Sequence, residues 1–336
     1  MNYLAPEHCH ESLIKKAPLS LAFDKNTNYE EWRNKVKAKL LELMGDFPEK
    51  TDPKLEIEYE KDFDNFKEIR FTFFSEEYAK IPCHLLIPML NKEKYPLAVC
   101  LQGHSKGMHI SLGRVKYEGD EKSIAGARDF GIQAVAEGYC ALIMEQRCFG
   151  ERSDARSPEK HTFQNTCTHA ALNAMLLGRT LMGERVWDTM RAIDIMESFP
   201  EVDMNKIICM GNSGGGTTAF YTACLDKRIT AAMPSCSVCT FEASIMKVDH
   251  CSCNYIPNIM KYFDMPDLAC LIAPRPLVVV AGKEDEIFPL YGVTESFNKI
   301  EEIYNAFGYS DNCKLVIGNG GHRFYPEAWG VLSEIL

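Results

Sequence analysis

The chain has 336 residues, 46% apolar and 25% charged, a globular mixture without the signature of disorder. That length suits an α/β domain carrying an extension or a lid. A net charge of −10 argues against nucleic acid or an anionic membrane as partner, because phosphate binding needs clustered Lys and Arg.

The first residues, MNYLAPEHCHESLIKK, contain no apolar signal segment, so the fourteen cysteines read as reduced thiols and the expected location is cytoplasmic. No apolar run approaches the ~20 residues needed to span a bilayer. Residues 1–27 show no periodicity. Asn28 then precedes YEEWRNKVKAKLLELMG, with Glu31 three places on, which predicts a capped helix. Trp32, Val36, Leu40 and Leu43 fall on one face, and Gly45 ends it. Residues 1–53 thus read as a helical extension packed on a core formed by 54–336.

Three alternating runs follow, KLEIEYE (54–60), FKEIRFTFF (66–74) and IPCHLLIP (81–88), and their period of two predicts antiparallel strands. After Pro96 the pattern changes to compact apolar runs: 97–101, 139–144, 206–210, 229–233, 276–281 and 314–318. Helical segments at 125–137, 184–198, 214–226 and 292–307 separate most of them. Apolar strands alternating with helices predict an α/β fold with a mostly parallel central sheet, antiparallel N-terminal edge strands and helices on both faces. Three stretches break the alternation, 102–124, 146–168 and 235–275. Each follows a predicted strand, where ligand loops of open α/β sheets sit, so they are the expected pocket walls.

KIICMGNSGGG carries a G-x-S-x-G at Gly211–Gly215, between an apolar run and a small-residue helix. A serine exposed at a sharp strand-to-helix turn needs neighbours without side chains, so that strand and helix can approach. A serine hydroxyl also needs a base and an orienting acid, in the chain order Ser, Asp or Glu, His. After PLVVVAG come three adjacent carboxylates, Glu284, Asp285 and Glu286, of which Asp285 sits inside the turn. His322, framed by glycines in NGGHRF, is the only histidine beyond residue 250.

Cys236-x-x-Cys239 and His250-Cys251-x-Cys253 lie within eighteen residues and suggest zinc ligands, but C-x-C is not the usual second knuckle. Thiols in a pocket loop are the preferred reading. Arg147, Glu151 and Arg152 either pair with one another or line the pocket, with an ion pair as the default. Trp187 and Asp188 read as packing or capping residues.

LAVCLQGH, EGYCALIMEQRCFGER, ERVWDTMRAIDIM, EVDMNKIICMGNSGGG, APRPLVVVAGKEDEIFP and GNGGHRF, over about residues 95–330, resemble the α/β-hydrolase superfamily, in its dienelactone-hydrolase-like and acetylxylan-esterase-like branch. The resemblance implies Ser213 as nucleophile, Asp285 as acid and His322 as base. The branch's G-x-x-D-x-x-x-P pattern matches Gly282 through Pro289 and favours Asp285 over its neighbours. Gln102-Gly103-His104 departs from the usual His-Gly. The oxyanion donors are therefore assigned to the backbone N–H groups of His104 and Gly214. The His104 ring either touches substrate or bonds a loop carbonyl. The loop after 144 should lie near the site, which makes Gln102, Arg147 and Arg152 candidate pocket residues.

The resemblance implies no metal and no cofactor for the chemistry. The expected activity is cleavage of a carboxylic ester in a small-molecule substrate, with a small acyl group such as acetyl, on a carbohydrate by the same analogy. Alternatives are a peptidase or lactone hydrolase on the same triad, and a non-catalytic scaffold with a Cys/His metal site. Nothing in the sequence excludes a homo-oligomer.

Overall fold

The alternating and the compact apolar runs all become strands of one nine-stranded sheet. In the computed structural model, which describes residues 4–154 and 166–336, these are β1 (Glu56–Asp62), β2 (Phe66–Phe74), β3 (Lys80–Pro88), β4 (Tyr95–Leu101), β5 (Cys140–Met144), β6 (Val202–Asn212), β7 (Ile229–Ser235), β8 (Leu277–Gly282) and β9 (Cys313–Gly318). Their spatial order is β1-β2-β3-β5-β4-β6-β7-β8-β9. The first three are antiparallel, β3 meets β5 antiparallel, and every later pairing is parallel. β1, with alternating charges and every residue exposed, closes the edge as charged edge strands do.

The helices are α1 (Pro6–Ile14), α2 (Tyr29–Met44), α3 (Asp120–Ala125), α4 (Phe130–Ala136), α5 (Thr166–Leu176), α6 (Leu181–Ile195), α7 (Gly214–Leu225), α8 (Leu290–Ala306) and α9 (Glu327–Ile335). On β4, Leu97, Val99 and Leu101 enter a core shared with α2, α6, α7 and α8. Ala98 and Cys100 enter a second core, shared with α4 and α9. The two faces of the pleat are thus covered separately, as the near-continuous apolar strands require.

Several expectations are corrected. Residues 6–14, read as aperiodic, form α1; no residue in it is buried, so no apolar stripe marks it. The helix expected over 125–137 begins only at Phe130 as α4, because Ala127 turns left-handed at φ 56°, and α3 starts inside the stretch 102–124 expected to be irregular. In α2 the buried row ends on Met44 rather than Leu43, the i+4 continuation of Trp32, Val36 and Leu40. The expected pocket stretch 146–168 falls partly outside the described residues. No helix among the described residues is long and apolar enough to cross a membrane.

Glu68 on β2 is fully buried and accepts hydrogen bonds from His84 Nδ1 at 2.6 Å, Tyr59 at 3.0 Å and both terminal nitrogens of Arg114. Burial alone would raise its pKa, but His84 and Arg114 outweigh it and hold the carboxyl at about 2. The unfolded chain therefore binds the proton first as pH falls, so this contribution is complete above about pH 4.3 and is lost towards pH 2. In urea titrations the stability advantage of wild type over Glu68→Gln should shrink across that window. An advantage independent of pH would rule the linkage out.

Candidate active site

β4 has β5 on one side and β6 on the other, so the strand order reverses at β4. The crevice beyond the carboxyl ends of strands at such a reversal is where open α/β sheets bind ligands. Ser213 and the 102–104 loop both emerge there.

Ser213 has φ 57° and ψ −129°, a conformation that costs a non-glycine residue about 1–3 kcal/mol. The turn is forced by close approach. A Cβ on Gly215 would lie 2.0 Å from Leu101 O, and one on Gly211 2.5 Å from the same atom. Both contacts are with backbone, which cannot swing aside. Gly215→Ala is therefore expected to cost about 3 kcal/mol, read as a lower thermal midpoint; an unchanged midpoint would show that β4 yields.

Gly103 lies directly against the serine, since an added Cβ would be 2.9 Å from Ser213 Cβ. His104 N–H makes no hydrogen bond to the described residues, and Gly214 opens α7, whose first N–H groups have no partners within the helix. Both N–H groups come from elements that meet at the serine turn, one from the loop after β4 and one from the start of α7. The Ser213 N–H bonds to Ser235 O at 2.8 Å, which fixes the turn to β7.

Of the three adjacent carboxylates, Asp285 is buried while Glu284 and Glu286 are exposed. Asp285 Oδ2 lies 2.8 Å from His322 Nδ1, and its Oδ1 accepts the N–H groups of Ile287 at 2.9 Å and Phe288 at 3.1 Å. Burial pushes this carboxyl up. The bond and charge of His322 and the two N–H donors outweigh it and leave the pKa below the ordinary value. The acid and base loops are sewn together by Lys283 N–H to Gly318 O at 3.0 Å and Glu284 N–H to Gly320 O at 2.7 Å. Phe288 stacks on the His322 ring at 5.9 Å, and Arg128 donates to His322 O at 2.8 Å. The Ser213 hydroxyl makes no hydrogen bond to a described residue, so serine and histidine are not hydrogen-bonded in this conformation.

Gln102, Arg147 and Arg152, candidate pocket residues, are engaged by protein partners, for the two arginines the ion pairing that was the default reading. Gln102 is buried and donates to Glu145 Oε1 at 2.6 Å. Glu145 also accepts Met108 N–H at 3.1 Å, and burial raises its pKa to about 7. Arg147 spans Asp188 (2.8 Å), Glu184 (3.1 Å) and Glu76, and Arg152 meets the same Asp188 at 2.8 Å. Guanidiniums committed to buried carboxylates brace the loop after β5 instead of facing a ligand. Asp188, expected only to pack or cap, is the centre of that brace.

Cys236, Cys239 and His250, weighed in the sequence as possible zinc ligands together with Cys251 and Cys253, do not join those two cysteines. Cys236 Sγ sits within 4.8 Å of the Asp285 and His322 ligand atoms, its thiol pushed up to about 12 by burial. His250 Nε2 instead meets Ser244 Oγ at 2.9 Å. Cys251 and Cys253 gather with His104 and Cys167, the latter a residue that no spacing in the sequence singles out. A cavity of about 1040 Å³ is lined by α1, α5 and residues between 241 and 261, away from Ser213.

A model described as the Abhydrolase family matches residues 8–314. A curated relative, "Putative hydrolase YtaP" of Bacillus subtilis (strain 168), is 26% identical over 299 residues, covering 86% of this chain and 94% of its own. The 4-O-methyl-glucuronoyl methylesterase of Phanerochaete carnosa (strain HHB-10118-sp) is 26% identical over 221 residues, covering 57% of this chain and 53% of its own. Among solved structures, a "putative acetyl xylan esterase" from Bacteroides fragilis NCTC 9343 superposes with a TM-score of 0.78 at 17% identity, covering 94% of this chain and 83% of that one.

Proposed function

Because the chain belongs to the Abhydrolase family, we propose that it is a serine esterase that cleaves carboxylic esters through an acyl-enzyme on Ser213. The observation that carries this reading is the left-handed Ser213 at the β6–α7 junction, wedged between two glycines that admit no side chain. The bond to Asp285 occupies His322 Nδ1 and leaves Nε2 to take the serine proton once the hydroxyl turns to it. Asp285, low in pKa, stays ionised and steadies the imidazolium. The N–H groups of His104 and Gly214 receive the oxyanion. The alcohol leaves with the proton from His322, and water then resolves the acyl-enzyme. No step calls for a cofactor.

The substrate is a carbohydrate ester carrying a small acyl group such as acetyl. The acetyl xylan esterase among the similar proteins supports the small acyl group, and the glucuronoyl methylesterase supports a carbohydrate ester in general. All fourteen cysteines are free thiols, which supports a reducing, cytoplasmic location. A panel of p-nitrophenyl esters of rising chain length, acetylated sugars and methyl glucuronate tests the reading. The expected result is turnover falling with acyl length and highest on acetylated sugars. Turnover confined to lactones or peptides would move the reaction to another class. No turnover and no labelling by a fluorophosphonate probe would remove the enzyme reading altogether.

A further inference from the structure

Next to this site, His104 Nε2 and the sulfurs of Cys167, Cys251 and Cys253 all lie within 4.8 Å of one another. We propose that these four side chains hold one structural Zn²⁺ ion. His104 comes from the loop after β4, Cys167 from the start of α5, and the other two from the long stretch after β7. Nε2 is 3.4 Å from the Cys253 sulfur and 3.7 Å from that of Cys167. A tetrahedral zinc with Zn–S of about 2.3 Å and Zn–N of about 2.0 Å sets its ligand atoms about 3.6 Å apart. The spacing therefore suits the ion with little movement. Three soft sulfurs and an imidazole are a zinc donor set rather than one for magnesium or calcium.

Charge supplies an independent observation. Arg185 on α6 is fully buried and pairs with no carboxylate among the described residues. Its Nη2 donates to the Cys167 sulfur at 3.1 Å, and its Nη1 has no partner among the described residues. A buried guanidinium needs a counter-charge close by. Three neutral thiols do not provide one. Zinc binding displaces three thiol protons, and Zn²⁺ with three thiolates and a neutral imidazole carries one net negative charge, which Arg185 balances. A disulfide between any two of the cysteines would leave a single thiol and the same unbalanced arginine.

With four protein ligands the site is closed, so it has no position for a reacting water and takes no part in ester cleavage. Its effect is on shape. The ring of His104 lies over Gly214, where an added Cβ would be 3.0 Å from Cε1 and 3.1 Å from Nδ1. An ion gripping Nε2 fixes this ring, and with it the main chain of His104 beside Ser213. It also ties the loops after β4 and β7 to α5. The positioning consequence rests on the esterase reading; the metal site does not.

The test is metal analysis of the full chain purified under reducing conditions without chelator, followed by cobalt exchange. The expected result is about one zinc per chain, and a cobalt form with thiolate charge-transfer absorption and intense tetrahedral visible bands. Cys167→Ser and Cys253→Ser should each weaken binding more than about 100-fold, while Cys9→Ser, on exposed α1, and Ser213→Ala keep the metal. Should the ligand variants fail to fold, X-ray absorption of the wild type decides, with three sulfurs and one nitrogen expected. Wild type that stays metal-free after zinc reconstitution, or shows a Cys–Cys disulfide among these residues, overturns the site. Protein stripped of zinc that keeps full esterase turnover would overturn the positioning consequence and leave the proposed function standing. Zinc-loaded protein that cleaves no ester would overturn the proposed function and leave the metal site standing.

Discussion

Ser213→Ala is expected to lower ester turnover by about 10,000- to 1,000,000-fold, with the fold intact by circular dichroism. The replacement removes one oxygen and leaves both glycine contacts and the Ser235 anchor in place. What survives is binding and the oxyanion donors, which alone still exceed water. Serine and histidine act as one unit, so His322→Ala should cost about as much, and the double variant little more than either. Asp285→Asn should be nearly as damaging, because it disturbs the tautomer that the 2.8 Å contact fixes. Single-turnover kinetics of the four variants check this. Independent, multiplying losses would mean that the residues do not work together, and a Ser213→Ala enzyme with wild-type turnover would end the proposal.

The second large effect concerns stability. Asp188→Ala should lower the unfolding free energy by about 3–5 kcal/mol, read as a fall in the urea midpoint. Asp188 is fully buried, accepts from Ser75 Oγ at 2.6 Å, and neutralises Arg147 and Arg152 together. Burial works to raise its pKa, but the two arginines and the serine outweigh it and hold the carboxyl far below the usual range. Its contribution is therefore complete above the ordinary carboxylate pKa of about 3.9 and is lost only in strong acid. Removing it strands two guanidiniums in the interior. A loss under about 1 kcal/mol would show that Glu76 and Glu184 satisfy Arg147 unaided.

Much of this was legible from residue order. Each apolar run expected as a strand is one, because a strand covered on both faces must be apolar along its length, whatever its neighbours. The bend at Ser213 was equally plain, since close backbone approach admits only glycine and writes itself into adjacent letters. Choosing Asp285 needed a family pattern beside the turn position. Its exposed neighbours explain the ambiguity, since three like carboxylates differ only in which one the fold buries. Helix α1 escaped notice because it buries nothing, and periodicity reports burial.

Other features were decided in three dimensions. Arg147 and Arg152 were expected by default in an ion pair, but their partner Asp188, about forty residues on, is set by the fold. Cys251 and Cys253 were visible as a pair, but their companions turned out to be His104 and Cys167 and not the nearby Cys236, Cys239 and His250. The sequence by itself determined the strands and the serine turn, because steric limits and burial act over a few neighbouring residues. The tertiary structure alone decided which charges and sulfurs meet, because such partners come from separate crossovers of the sheet, and spacing along the chain carries no record of where a crossover lands.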